Sequence, residues 1–330
     1  MQSGTFTTKF QKSITLKLLS NMQSLFENWK PRASSFGLLL TNLPEKFTEE
    51  DDKEYKLLLE IKQTGKNPET GRANKWSDTN QAKLDKLKKK KKGVDELPDG
   101  AITKLEEIFN HIFWKRRKVI YNKYLEKGNI VEEDSLQLLS DVDGVTYWKN
   151  DEFLENEYSE GTPDNIFNRI RDTKSNYDFF TFQKAELTSL YGWQIKDYIW
   201  MAIESGHDIE RVGELCYCLV NSPPHRIEAE RKSMWYSMGM PDQNEDRWIE
   251  AASQLERNHI FDIEKFKSEF PNFELHNTFW RNIPKHMRVK KFYVTLEDED
   301  IEHMKRRSKM AKEWLLAREQ QEIELINSKD

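Results

Sequence analysis

The sequence predicts a mixed α/β domain carrying extra helices at both ends. Short β-rich runs at 170–174, 215–221 and 289–294 supply strands. Polar stretches with helical periodicity lie before and after them, and no internal repeat or Gly-rich low-complexity tract interrupts the pattern. With 330 residues, 37% of them hydrophobic and 12% aromatic, the chain can bury one sizeable core or two smaller ones.

Taken in order, residues 1–60 read as helical, with an apolar series Phe10, Ile14, Leu16, Leu18, Leu19, Met22 and Phe26 broken near Lys30-Pro31. Residues 61–100 read as a polar, lysine-rich and mobile connection punctuated by Gly65, Pro68, Gly71 and Gly93. Helices are expected from about Ala101 to Leu125 and from Ile130 to Ser140. A hairpin, a helix near Phe182–Trp200 and an apolar strand Leu215–Asn221 follow, the last ended by Pro223-Pro224. Beyond these come helices near Glu245–Arg257 and Asp262–Phe270, a strand at Val289–Val294 and a charged helix from Asp298 to Ser328. The corresponding division is an N-terminal helical and Lys-rich segment at 1–100, a core at 101–235, and a C-terminal helical extension with one further strand at 236–330.

The chemistry concentrates between Gly161 and Tyr198. A strand over Ile170-Arg171-Asp172-Thr173-Lys174 puts the Asp172 carboxylate and the Lys174 amine on one face. A hairpin turning through Asn165 and Asn168 would bring Asp164 beside Asp172. Gln194 and Tyr198 lie four apart on a helix and so share a face. Paired carboxylates beside a lysine suit a hard divalent cation, which can polarise a phosphoryl oxygen and deliver hydroxide to it. The tripeptide by itself carries little weight, since an acid two residues before a lysine is expected roughly five times by chance in a chain this charged. Asp51-Asp52-Lys53, Glu54-Tyr55-Lys56 and Glu60-Ile61-Lys62 match it too, in a run where helical charge pairing accounts for them. Order carries the inference instead: Asp164, then Asp172 and Lys174, then Gln194 and Tyr198.

That ordered set resembles the PD-(D/E)xK nuclease superfamily, and within it the RecB-like and YqaJ-like (lambda-type) phage exonucleases, over about residues 120 to 225. The resemblance implies a restriction-endonuclease-like core, a mixed central sheet flanked by helices and closed by an apolar strand like Leu215–Asn221. It also calls for an upstream glutamate in a Gly-x-x-x-Glu pattern. Gly128 to Glu132 has that spacing, with Glu133 the alternative, since only one of two adjacent helical residues can face the site. Under the resemblance, Asp164, Asp172, the Thr173 carbonyl and Glu132 would hold Mg²⁺, with Mn²⁺ substituting. Lys174 would orient or deprotonate the attacking water, while Gln194 and Tyr198 would position phosphate or water. Arg32 and Ser34 match a segment where a helix start meets DNA phosphate, although an ordinary N-capped helix accounts for Ser34 equally.

Charge supports a local DNA contact rather than a general one. The net charge is −5, with 52 basic and 57 acidic residues, so cations must cluster if nucleic acid binds. Lys88–Lys92 forms one block, open between a solvated helix end and a DNA contact. Lys115, Arg116 and Arg117, next to Trp114, form a second. Two cysteines exclude a four-cysteine iron–sulfur cluster, and no Lys-Ser/Thr phosphate loop supports ATP use. With no signal peptide and no apolar stretch long enough to span a bilayer, the expected setting is the cytoplasm of a bacterial host, phage or prophage encoded. The expected activity is Mg²⁺-dependent hydrolysis of linear DNA, exonucleolytic before endonucleolytic, with a silent DNA-binding or scaffold protein as the third reading. A single-strand annealing partner and a homo-oligomer are implied by the resemblance alone.

Overall fold

The computed structural model describes residues 23–43, 47–93, 95–119, 122–277 and 280–328. Most of the expected N-terminal apolar series, Phe10 to Met22, lies outside them.

Helix α1 (Ala33–Leu39) enters the core first. Helices α2 (Glu49–Thr64) and α3 (Asp78–Lys92) then form a hairpin where a mobile connection was expected. Local signals explain the difference. Thr48 and Asp51 make a reciprocal capping box, Ser77 caps α3, and Gly65 and Gly93 end the two helices in the left-handed region. Leu58, Leu84 and Leu87 form the hairpin's own small core with Trp76 and Tyr55.

Helix α4 (Asp99–Ile112) stops well short of Leu125. Its end is followed by four consecutive cations, Lys115 to Lys118, which repel one another along a helix, and the first of them sits at φ +54°. The chain resumes in α5 (Lys123–Ile130) and breaks at Val131 before α6 (Glu132–Asp143).

A small hairpin, β1 (Leu154–Glu155) with β2 (Glu160–Gly161), precedes the main sheet. That sheet has the order β3 (Asn165–Ile166), β4 (Ile170–Ser175), β5 (Val212–Cys218), β6 (Val289–Thr295). The β4–β5 pair is parallel and the outer two pairs are antiparallel, giving the mixed sheet expected. One expectation changes: the apolar strand β5 lies inside the sheet, and β6 takes the edge.

Between β4 and β5 the chain forms α7 (Phe179–Gln183) and α8 (Ser189–Glu204) rather than one helix. Asp178 and Thr188 each accept from a backbone N–H three residues on, so each starts its own helix. Helix α9 (Pro224–Ser237) begins where prolines end the strand, Pro being compatible with a first helical turn. Helices α10 (Asp246–His259) and α11 (Ile263–Glu269) follow it, and α12 (Asp298–Ser328) closes the chain.

The sheet lies between α6 and α8. Cys216 packs with Leu136 and Leu139, and Cys218 with Val131 and Leu138, so both thiols face α6 as apolar core. Ile195 and Ile199 of α8 press on Gly213 of β5, where an added Cβ would lie 2.5 Å from Ile195 Cγ2. The main core runs from Phe26 through α1, α4, α8 and β5 to Met304, Ala311 and Leu315 of α12. Helix α12 therefore packs on this chain's own core.

Candidate active site

Register places the central residues. Strand β4 pairs with β3 only through Ile170 and Arg171, so the edge of β4 beyond Arg171 lacks a strand partner on that side. Asp164, one residue before β3, fills the gap: its Oδ2 accepts from the Thr173 backbone N–H at 2.7 Å and from the Thr173 hydroxyl at 3.0 Å. The expected hairpin thus brings Asp164 to the Asp172-Thr173-Lys174 segment.

On the α8 face of β4, Asp172 is almost fully buried, at 1% exposure. Its Oδ1 accepts from Gln194 Nε2 at 3.1 Å. Its Oδ2 meets the Lys174 ammonium at 2.5 Å as a charge-assisted pair. Gln194 also lies 3.4 Å from the Tyr198 hydroxyl, so the four-residue helical spacing makes one connected group. Burial raises the Asp172 carboxyl to about 6, with Lys174 opposing and Asp164 reinforcing the shift. For Lys174 burial works against the charge, but Asp172 and Asp164 outweigh it and hold the ammonium above its ordinary range. This favours the lysine as an orienting cation over a free base. Burial also raises the Tyr198 hydroxyl, helped by Asp172, so it stays a neutral donor.

Glycine permits the close approach. At Gly161 a Cβ would lie 2.9 Å from Tyr198 Cε1 and 3.1 Å from the Ala33 Cβ. At Gly37 it would lie 2.6 Å from the Leu190 carbonyl oxygen, so α1 meets the start of α8 backbone to backbone. The segment before α1 also bridges β2, through Glu160 N–H to the Pro31 carbonyl at 3.1 Å. Arg32 and Ser34 are both exposed there. The expected serine cap is corrected: Arg32 is the N-cap, without a side-chain capping bond, and Ser35 Oγ donates back to the Arg32 carbonyl.

The upstream acid sits differently. Arg171, Thr173 and Ser175 turn to the α6 side, where the Ser175 and Ser135 hydroxyls meet at 2.7 Å. Glu132 opens α6 on that side and is half-buried, whereas Glu133 is exposed. Of the two, Glu132 is the one whose charge acts on Asp172. It is held by Lys149 at 2.9 Å, and Asp164 also contributes to raising that lysine.

Among the described residues, no three His, Cys, Asp or Glu side chains stand close enough to hold a metal ion together. The expected ligand set is therefore not assembled as it stands, because Asp172 is paired with Lys174, Asp164 with Thr173 and Glu132 with Lys149. The donor chemistry itself fits a hard divalent cation: three carboxylates, one of them, Asp172, almost fully buried and met at Oδ2 by the Lys174 ammonium.

Two residues escaped the sequence pattern. Tyr191, whose ring lies 5.3 Å from Lys174 Nζ, sits three residues before Gln194, a helical spacing that was legible. Lys149 lies in a loop whose Asn150 N–H binds the Asp164 carbonyl, and no local signal marks it.

The two basic blocks separate. Lys90 pairs with Asp51 and Lys91 with Asp52, and Lys91 also lies 4.5 Å from the Tyr55 ring, so these two lysines staple the α2–α3 hairpin, while Lys88 pairs with Asp85 and Lys89 with Glu96. Lys115–Lys118 are exposed and make no ion pair with another described residue. Phe109 stacks on Phe26 and Phe113, so this loop leaves α4 at the end nearest the segment leading into α1.

A mixed β3-β4-β5-β6 sheet between two helix layers, with α1 and α12 packed on α4 and α8, can be compared with solved structures. A phage related exonuclease from Haemophilus somnus 129PT superposes with a TM-score of 0.50 at 17% identity, over 92% of this chain and 97% of that one. The chain has that fold. An alkaline exonuclease from Laribacter hongkongensis matches less well, with a TM-score of 0.40 at 9% identity over 71% of this chain and 87% of that one. No protein-family model matches the sequence, and no curated protein matches it. Among the described residues no helix is long and apolar enough to cross a membrane.

Proposed function

We propose that the chain is a divalent-metal-dependent DNA nuclease, acting on linear DNA as an exonuclease. The observation that carries this reading is the buried Asp172, paired with Lys174 and bonded to Gln194, beside Asp164 on an open strand edge. A structural ion pair has no need of so costly a burial, since an apolar pair of the same volume would serve stability as well. Asp164, Asp172 and Glu132 would hold the ion. When bound, the ion would offset charge on the phosphoryl group and activate water.

Protein groups supply the rest. Lys174 stays protonated and orients the attacking water or a phosphoryl oxygen. Gln194 fixes the Asp172 carboxylate, and Tyr198 presents a neutral donor. The exposed Lys115, Arg116 and Arg117 loop and the exposed Arg32 and Ser34 suit duplex phosphates, while the Lys88–Lys92 run is largely neutralised already.

Incubating the protein with linear and closed circular duplex in Mg²⁺, Mn²⁺ or EDTA tests the proposal. Metal-dependent loss of linear DNA alone, abolished by Asp164→Ala and Lys174→Ala, is expected. Nicked circles would make it an endonuclease. DNA binding without metal-dependent cleavage would leave a silent scaffold and end the enzyme reading.

A further inference from the structure

Lys149 stands outside the ordered motif yet touches its most remote member. Its ammonium lies 2.9 Å from Glu132 Oε2, and the neighbouring Asn150 N–H is anchored on the Asp164 carbonyl at 2.8 Å. The Asn150 side chain also donates to the Pro163 carbonyl at 3.0 Å. The lysine is thus presented from a loop tied to the same turn that carries Asp164. Its side chain is about half exposed, at 47%, and Glu132 is less so, at 24%. Lys174 plays the matching part for Asp172, but from the buried side.

Formal charges make the consequence plain. Glu132, Asp164 and Asp172 bring three negative charges, while Lys149 and Lys174 bring two positive ones, leaving one net negative. Without Lys149 the balance would be two negative. A cation entering the site must therefore draw Glu132 away from Lys149, and the released ammonium, on an anchored loop, is left facing whatever anion follows.

We propose that Lys149 is a positioning residue that holds Glu132 back from Asp164 and Asp172 until a divalent cation competes for it, and then contacts a backbone phosphate of the DNA. This rests on the nuclease reading above. Its particular content is an exchange: one ion pair is given up for two others. That exchange would couple metal loading to DNA binding, each favouring the other.

The test measures Mn²⁺ binding to the DNA-free full chain by electron paramagnetic resonance, and binding of a short duplex in Ca²⁺. Lys149→Met is expected to bind Mn²⁺ roughly tenfold more tightly than wild type and the duplex several-fold more weakly, whereas Lys149→Arg stays near wild type. The Mn²⁺ gain should vanish when Glu132→Gln is added, because the gain acts through that carboxylate. Thermal melting of each variant confirms folding, which a half-exposed lysine should not govern. Unchanged Mn²⁺ and duplex affinities in Lys149→Met, with Mn²⁺ binding still lost in Asp172→Asn, would overturn the exchange and leave the nuclease reading standing. Absence of Mn²⁺ binding in wild type, unaffected by Asp172→Asn, would overturn both.

Discussion

Two regions of this molecule are built from the same pieces, lysines paired with aspartates, and behave in opposite ways. In the α2–α3 hairpin, Asp51 meets Lys90, both half-buried, and Asp52 meets the exposed Lys56 and Lys91. Lys90 and the Thr48 N–H hold Asp51 down to about 2, and Lys56 and Lys91 lower Asp52 as well. In the layer between β4 and α8, Asp172 is almost fully buried while its partner Lys174 is partly exposed, and burial raises the carboxyl to about 6 despite the lysine. Asp197, fully buried on α8 with only the Ser159 hydroxyl donating to it, is raised by burial to about 8. Pairing dominates where solvent screens, and desolvation dominates where it does not.

The acid-x-Lys copies sharpen the lesson. On β4 the period of two aligns Asp172 with Lys174 at 2.5 Å. On α2 the same spacing rotates the side chains about 200° apart, and the copies dissolve. Lys56 pairs with Asp52, Glu54 with Lys83, and Lys62 reaches Gln81.

The strongest way to break this comparison is to exchange the two sets. Lys174→Met and Asp172→Asn should each lower DNA cleavage by about 10³-fold or more, measured as kcat/KM on linear duplex. Lys56→Met in the hairpin should leave the same rate within error; equal losses would erase the distinction between strand and helix copies.

Packing comes next. Gly37→Ala should destabilise the fold by about 2–3 kcal/mol in urea denaturation, because the new methyl meets the Leu190 backbone, which cannot move aside as a side chain tip could. Gly65→Ala in the hairpin meets no atom and is limited by its left-handed backbone alone, so its loss should be smaller, about 1 kcal/mol.

A third effect is on pH. Asp197 is raised in the folded state, so its stabilising share is complete below the unfolded value near 4 and is lost as pH rises through about 8. Asp197→Asn keeps a donor and acceptor beside Ser159 without the charge. It should flatten the decline in urea midpoint between pH 5 and 9, and a parallel slope in both proteins would show that Asp197 is ionised throughout. Asp51 has the opposite sign: its share is present above the unfolded value and lost only as pH falls through about 2. The smallest effect belongs to the hairpin. Asp52→Asn should move the melting midpoint only slightly, and less in high salt.

Much of the site was legible in the chain. Asp164, Asp172, Lys174, Gln194 and Tyr198 meet because their spacings follow local rules, a hairpin, a two-residue strand period and a four-residue helix period. The ends of helices were less legible. The α2–α3 hairpin depends on caps at Thr48 and Ser77 inside a composition that reads as linker. The break after Ile112 depends on a left-handed Lys115.

By itself, the sequence determined the mixed α/β class, the order of the motif and the face that Asp172 and Lys174 share, all consequences of covalent periodicity. Tertiary structure decided the rest: which acid-x-Lys is buried, that Glu132 is half-buried where Glu133 is exposed, and that Lys149 pairs with Glu132. Those outcomes depend on which elements exclude water from which charges, and solvent exclusion belongs to packed layers rather than to any stretch of chain.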